Sequence, residues 1–155
     1  MKWVIFDLDG CLADDRWRRS LIDLTADDPW GAYHAECHKD PFINYHLLCD
    51  LPAHYMPIIF TARPEKVRAQ TERWLREVAR LTPWWIFMRQ DDCRKPSPEL
   101  KEDYLNSLFN FGVKRSEIVC AFDDREDVLA VYKKHGIRAV KAECPPEANS
   151  NAQAL

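Results

Sequence analysis

The sequence predicts an α/β fold of three layers, helix on sheet on helix, with a five-stranded parallel sheet and a small, mostly helical insertion after the first strand. Three observations predict it. Five short runs rich in β-branched and aromatic residues recur at 2–6, 57–61, 84–88, 118–122 and 137–141, each reading as a buried strand. Helix-period stretches stand between them at 64–80, 98–111 and 125–135, and strands alternating with helices imply right-handed crossovers and a parallel sheet. The 155 residues, 46% of them hydrophobic, suffice for one core and fall short of two full-sized domains.

Strand one is followed at once by Asp7-Leu8-Asp9-Gly10. The interval from Ala13 to Met56 is longer than a crossover needs and carries Trp17, Trp30, Tyr33, Phe42 and Tyr45 among charges; it reads as the insertion, about 14–56, partly covering the site. Strand two ends on Thr61. Pro64 suits a first helical turn, where its missing N–H costs nothing. In the helix after it, Val67, Thr71, Trp74, Leu75 and Val78 form one apolar stripe, with Arg68, Glu72, Arg73, Arg76 and Glu77 mainly on the wet side. Trp84 and Trp85, like Trp74, read as core. Strand four ends at Asp123-Asp124, and Gly136 suits the left-handed cap after the last helix. One domain over 1–145 results, with 146–155, rich in Pro, Ala, Asn and Gln, as a frayed tail.

A net charge of −3 with 30% charged residues excludes a polybasic nucleic-acid coat and a disordered acidic chain, so any polyanion site must be local. No run approaches the ~18 apolar residues of a membrane span, and the N-terminus lacks signal-peptide character, which points to a cytoplasmic protein. The six cysteines are widely spaced without a Cys-x-x-Cys pair and read as reduced thiols. His34, Cys37 and His38 lie within helical reach, but further ligand pairs at zinc spacing are missing; a polar helix face is the better reading.

In such a sheet the carboxyl ends of the strands carry the site, near the switch point. That gathers Asp7, Thr61, Asp123 and Asp124 on one edge. Carboxylates at the ends of buried strands are costly to desolvate unless something balances their charge, and Mg²⁺, which favours hard oxygen ligands, would do so. Gly10 lets the chain turn and redirects Asp9 towards a substrate, so that one carboxylate can attack while the other handles protons.

These motifs resemble those of the haloacid dehalogenase superfamily of phosphohydrolases. Asp7-Leu8-Asp9-Gly10-Cys11 is similar to its first motif, with Cys11 where Thr is usual, a change the backbone-shaped turn should tolerate. Ile58-Ile59-Phe60-Thr61 is similar to the second, and Ala121-Phe122-Asp123-Asp124 to the fourth; the third motif's lysine falls at Lys101, with Lys95 nearby. The resemblance implies a HAD-like Rossmannoid fold and a Mg²⁺-dependent phosphatase. Asp7 would form an aspartyl-phosphate, and Asp9 would protonate the leaving oxygen and then activate water. Thr61 and Lys101 would stabilise the phosphoryl oxygens. Asp7, Asp9 through its backbone carbonyl, Asp123 and Asp124 would hold the metal.

Within that superfamily, the sequence also resembles the 3′-phosphatase domain of the phage polynucleotide kinase-phosphatase type. Thr61-Ala62-Arg63, the segment Arg89 to Lys95, and Asp123-Asp124-Arg125 carry it. By this resemblance Ala62, Arg63 and an arginine of the insertion, Arg16 or Arg18 before Arg19, would contact the substrate, a phosphorylated nucleotide or nucleic-acid end. The family's Asp four residues before the lysine is here Ser97. Trp17 or Trp30 could stack on a base, or simply anchor the insertion. No Gly-x-x-x-x-Gly-Lys-Ser/Thr loop is present, which reads as a phosphatase without its kinase partner. A small-molecule phosphatase, such as a 5′-nucleotidase, and a non-catalytic phospho-ligand binder are the alternatives.

Overall fold

The computed structural model describes residues 1–146. The tail expected at 146–155 lies almost wholly outside them. Five parallel strands, β1 (Lys2–Phe6), β2 (Tyr55–Pro64), β3 (Trp85–Arg89), β4 (Ile118–Asp123) and β5 (Ala139–Lys141), form one sheet in the order β3-β2-β1-β4-β5. The chain steps outward from β1 through β2 to β3, then crosses to β4 on the other side. The switch point therefore lies between β1 and β4.

Strand alternation sorts the core into two layers. Trp3 and Ile5 of β1, with Ile58 and Phe60 of β2, point to the face covered by α4 (Ser97–Asn110) and α5 (Glu126–Lys134). Val4, Phe6 and Ile59 point to the opposite face, where Trp74 and Leu75 of α3 (Arg68–Glu77) meet Leu12 and Phe42 of the insertion. Along α4, Lys101 lies in a buried stripe with Leu100 beside it and Tyr104, Leu105 and Leu108 three, four and seven residues on. A lysine thus occupies a core position.

Several boundaries differ from the sequence reading. β2 runs on to Pro64, which still pairs with Arg89 of β3 after a register shift beyond Phe60. Proline starts a helix well but ends a strand equally well, because either role dispenses with its N–H. A 3₁₀ turn, Glu65–Val67, then leads into α3, which stops at Glu77 and leaves Val78 exposed. Trp84 precedes β3 and is 56% exposed; its N–H donates to the Pro57 carbonyl at 2.8 Å, and its ring shields Trp3 and Trp85 edge-on instead of entering the core. The insertion holds only short helical pieces, the 3₁₀ turns Arg16–Leu21 and Cys37–Lys39 and the helices α1 (Gly31–Ala35) and α2 (His46–Cys49). Pieces that short take their stability from tertiary contacts. No helix among the described residues is long and apolar enough to cross a membrane.

Candidate active site

At the carboxyl edge of the sheet, the Asp7 N–H donates to the Phe122 carbonyl at 3.0 Å, which sets Asp7 beside Asp123 at the end of β4. Gly10, at φ +82°, turns the chain back in a conformation open to glycine. The N–H groups of Cys11, Leu12 and Ala13 converge on the Leu8 carbonyl, and Asn44 of the insertion pins the loop by donating to the Cys11 carbonyl at 2.8 Å. The Cys11 side chain fills a fully buried apolar slot.

Asp7, Asp123 and Asp124 each bring an oxygen within 4.8 Å of the others. Burial pushes the Asp7 carboxyl well up, with Asp123 and Asp124 adding to it and Lys101 opposing. Burial, then the Asp123 charge, pushes Asp124 up to about 6. Lys101, 1% exposed, donates to Asp7 Oδ1 at 2.6 Å, to Asp123 Oδ2 at 3.2 Å and to the Phe60 carbonyl. Burial lowers its pKa, but the two aspartates outweigh that and hold the ammonium charged. The fork needs no acidic residue at position 97, where the Ser97 hydroxyl meets Arg125 at 3.5 Å. Lys95, by contrast, is an exposed partner of Asp103.

Asp9 has the opposite surroundings. Its Oδ1 accepts three bonds, from Arg18 Nη2 at 2.6 Å, Arg63 Nη2 at 2.6 Å and Arg63 Nε at 3.0 Å. Burial raises its pKa, yet Arg63 and Arg18 together overcome that and hold the carboxyl below the usual range. Both arginines are fully buried and both also reach Asp40 Oδ2, at 2.8 Å from Arg18 and 3.0 Å from Arg63. Thr61, buried in β2 three residues before its end, accepts the Arg63 N–H on its hydroxyl at 3.2 Å, which leaves the hydroxyl proton free to donate. Asp7, Asp9, Thr61, Ala62, Lys101, Asp123 and Asp124 all line one cleft of about 1040 Å³, together with insertion residues.

A family model for the polynucleotide kinase PNKP phosphatase domain matches residues 1–144. The chain belongs to this family. As a PNKP-type phosphatase domain it shares its fold with a chain of a Pnkp1/Rnl/Hen1 complex, at TM-score 0.68 and 21% identity over 92% of this chain and 46% of that one. It is also similar to a haloacid dehalogenase-like hydrolase, SP0104, from Streptococcus pneumoniae, at TM-score 0.59 and 14% identity, covering 92% of this chain and 87% of that one. CbbY from Rhodobacter sphaeroides resembles it at TM-score 0.57 and 16% identity, covering 100% and 93%. The chain spans less than half the length of the complex chain it matches. No curated protein matches it significantly.

In this phosphatase domain the arginines sort differently from their sequence order. Arg18 and Arg63 stand behind Asp9 and do not line the cleft; they act on the carboxylate, not on the cleft surface. Arg19 lines the cleft, paired with Asp15 at 3.0 Å. Arg16 lies elsewhere, in a separate shallow pocket with Trp17 and Lys39, bound to Asp14 at 2.6 Å, so the structure does not bring it to the carboxylates. The reason is the 3₁₀ turn, which faces successive arginines in different directions. Asp40 is the residue sequence reading misses.

Gly10 gives the phosphatase loop its closest contact: a Cβ there would sit 2.5 Å from Asp124 Oδ2. Gly10→Ala must displace Asp124 and force alanine to positive φ. The expected result is a loss of about 1–2 kcal/mol in urea unfolding and a fall in phosphatase rate of at least about tenfold, the scale of a ~1.4 kcal/mol loss. A wild-type rate in a folded variant would show that the position of Asp124 is immaterial.

Proposed function

We propose that the protein is a cytoplasmic, Mg²⁺-dependent phosphomonoesterase that removes the 3′-phosphate of a polynucleotide end or nucleotide through an aspartyl-phosphate on Asp7. The observation that carries this reading is the contrast within one motif. Asp7 sits among carboxylates and a lysine, whereas Asp9, two residues on, is clamped by two guanidiniums. Two carboxyl groups held in such different environments suit two different roles.

Asp7 Oδ1 is held by Lys101, and Oδ2 attacks phosphorus in line as the ester P–O bond breaks. The leaving oxygen takes the proton carried on Asp9 Oδ2, the oxygen to which the arginines do not bond. A phosphate dianion entering beside Asp9 raises its proton affinity and so opposes the arginines at this step. Asp9, now anionic, takes a proton from water, and the resulting hydroxide attacks phosphorus and releases Asp7. Thr61 donates to a phosphoryl oxygen and Lys101 adds positive charge.

Asp7, Asp123 and Asp124 fit a hard divalent cation: three oxygen donors stand together, and an ion there would balance the charge of Asp7 and Asp124, whose pKa values burial and the neighbouring carboxylates raise. When bound, Mg²⁺ supplies the charge that lets an anionic carboxylate meet an anionic phosphoryl group.

The deciding assay is phosphate release in Mg²⁺ from 3′- and 5′-phosphorylated oligonucleotides, 3′- and 5′-mononucleotides and sugar phosphates. Preference for the 3′-phosphates is expected; preference for 5′-mononucleotides would replace the end-processing reading with a nucleotidase.

Metal dependence has a pH signature. The folded Asp124 carboxyl titrates near 6, above its ordinary value, so the folded state holds the extra proton. The stability this group contributes is therefore present at low pH and lost as pH rises through about 6. A cation on the deprotonated cluster restores it. The rise in melting temperature on adding Mg²⁺, relative to EDTA, is expected to be larger by a few degrees at about pH 7.5 than at about pH 5. An equal rise at both would place the ion away from Asp124.

A further inference from the structure

Two exposed tryptophans of the insertion separate in the structure. Trp17, 44% exposed, commits its Nε1–H to Asp40 Oδ1 at 3.0 Å and faces the shallow pocket with Arg16, away from the carboxylates. Trp30, 48% exposed, lines the catalytic cleft. Its ring is held edge-on by Tyr33, with centroids 5.4 Å apart at 85°.

The support beneath it is continuous. The Tyr33 hydroxyl donates to Asp15 at 2.8 Å, and the Arg18 guanidinium lies 4.0 Å over the Tyr33 ring while its Nη2 holds Asp9. Just before Trp30, Asp28 pairs with Lys66 in the 3₁₀ turn after β2. Gly31 leaves room for that Asp28 carboxylate, since a Cβ would meet Asp28 Oδ2 at 2.8 Å. The loop is thus tied both to the core and, through Tyr33 and Arg18, to Asp9.

The neighbouring chemistry favours a flat, neutral group flanked by phosphate. Burial pushes His34, tilted beside Trp30 at 6.3 Å, down to about 4, so its ring adds a neutral aromatic surface near neutral pH. The same cleft is lined by Arg94, whose guanidinium donates to the Asp91 carbonyl at 3.4 Å and forms no ion pair among the described residues. An aromatic face and a guanidinium that pairs with no carboxylate among the described residues, opening on the same cavity as the phosphoryl site, suit a nucleobase and the phosphodiester beside it.

We propose that Trp30 is a base platform: the base of the nucleotide that carries the scissile phosphate stacks on its indole, which makes Trp30 the residue that distinguishes a nucleotide ester from a plain sugar ester. This rests on the phosphatase reading above, but not on 3′ over 5′ regiochemistry. The test compares kcat/KM for 3′-phosphorylated oligonucleotides whose terminal nucleotide either carries a base or is an abasic tetrahydrofuran, and for 5′-mononucleotide against ribose 5-phosphate. Wild type is expected to favour the base-bearing member of the pair it hydrolyses by about tenfold, within the range of base–aromatic stacking. W30A should bring that ratio close to one, W30F should keep most of it, and W17A should leave it at the wild-type value.

A wild-type ratio near one, or a ratio unchanged in W30A, overturns the platform while leaving the phosphatase intact. A Trp30-dependent ratio found only with 5′-phosphates sustains the platform and overturns the 3′ assignment. Failure to hydrolyse any of these substrates overturns both.

Discussion

Asp7→Asn is expected to abolish phosphatase turnover, by about 10⁴-fold or more, because an amide cannot serve as the attacking carboxylate and removal of a nucleophile costs rate on that scale. The structure makes this substitution informative because it should not unfold the protein. Asp7 shares Lys101 with Asp123, so the ammonium keeps a carboxylate partner, and one of three mutually repelling charges is removed. The metal-free melting temperature is therefore expected to stay level or rise. The checks are single-turnover phosphate release and trapping of phosphoprotein, which wild type should show and Asp7→Asn should not. Retained turnover would place the nucleophile elsewhere. Asp9→Asn makes a contrasting companion: its carboxylate balances two fully buried guanidiniums, so this variant should lose stability as well as rate.

The difference between the two aspartates marks where the sequence speaks and where it stops. Asp7, Thr61, Asp123 and Asp124 are legible because each sits where an apolar run ends, and the parallel topology brings all such ends to one edge. Lys101 is legible only through the resemblance to the family's third motif: locally it looks like any solvated helix lysine, and only the fold shows it buried between Asp7 and Asp123. What stands behind Asp9 is not legible. Arg18 looks like one of several surface arginines in a weakly periodic segment, and nothing local marks it as fully buried. Asp40 follows a short 3₁₀ turn and meets its partners only when the insertion folds against the end of β2. Trp84 misleads in the opposite sense, since an apolar run cannot reveal that its first residue lies just outside the strand.

The largest stability effect is expected at Asp40, and it follows from charge balance. Two guanidiniums with no exposure face two carboxylates, Asp9 and Asp40. Asp40 Oδ1 accepts Arg18 Nε at 2.8 Å and Trp17 Nε1 at 3.0 Å, its Oδ2 accepts both arginines, and its backbone carbonyl accepts Trp74 Nε1 at 2.7 Å. Asp40→Ala leaves a net positive charge where water cannot reach it, at a cost of about 3–5 kcal/mol. That is a large part of the ~5–15 kcal/mol a domain has in total. Urea midpoints measure it, and the double variant Asp40→Ala with Arg18→Met separates charge from packing. Removing one cation along with one anion restores the balance between Arg63 and Asp9, so the double variant is expected to lose less than the sum of the singles, by at least about 1 kcal/mol. Strict additivity, or a cost below about 1 kcal/mol for Asp40→Ala alone, would mean that Asp40 is not balancing buried charge, since an unpaired buried charge costs several times that. The guanidinium clamp on Asp9 would then have to owe its position to packing around Tyr33 and Trp74 instead.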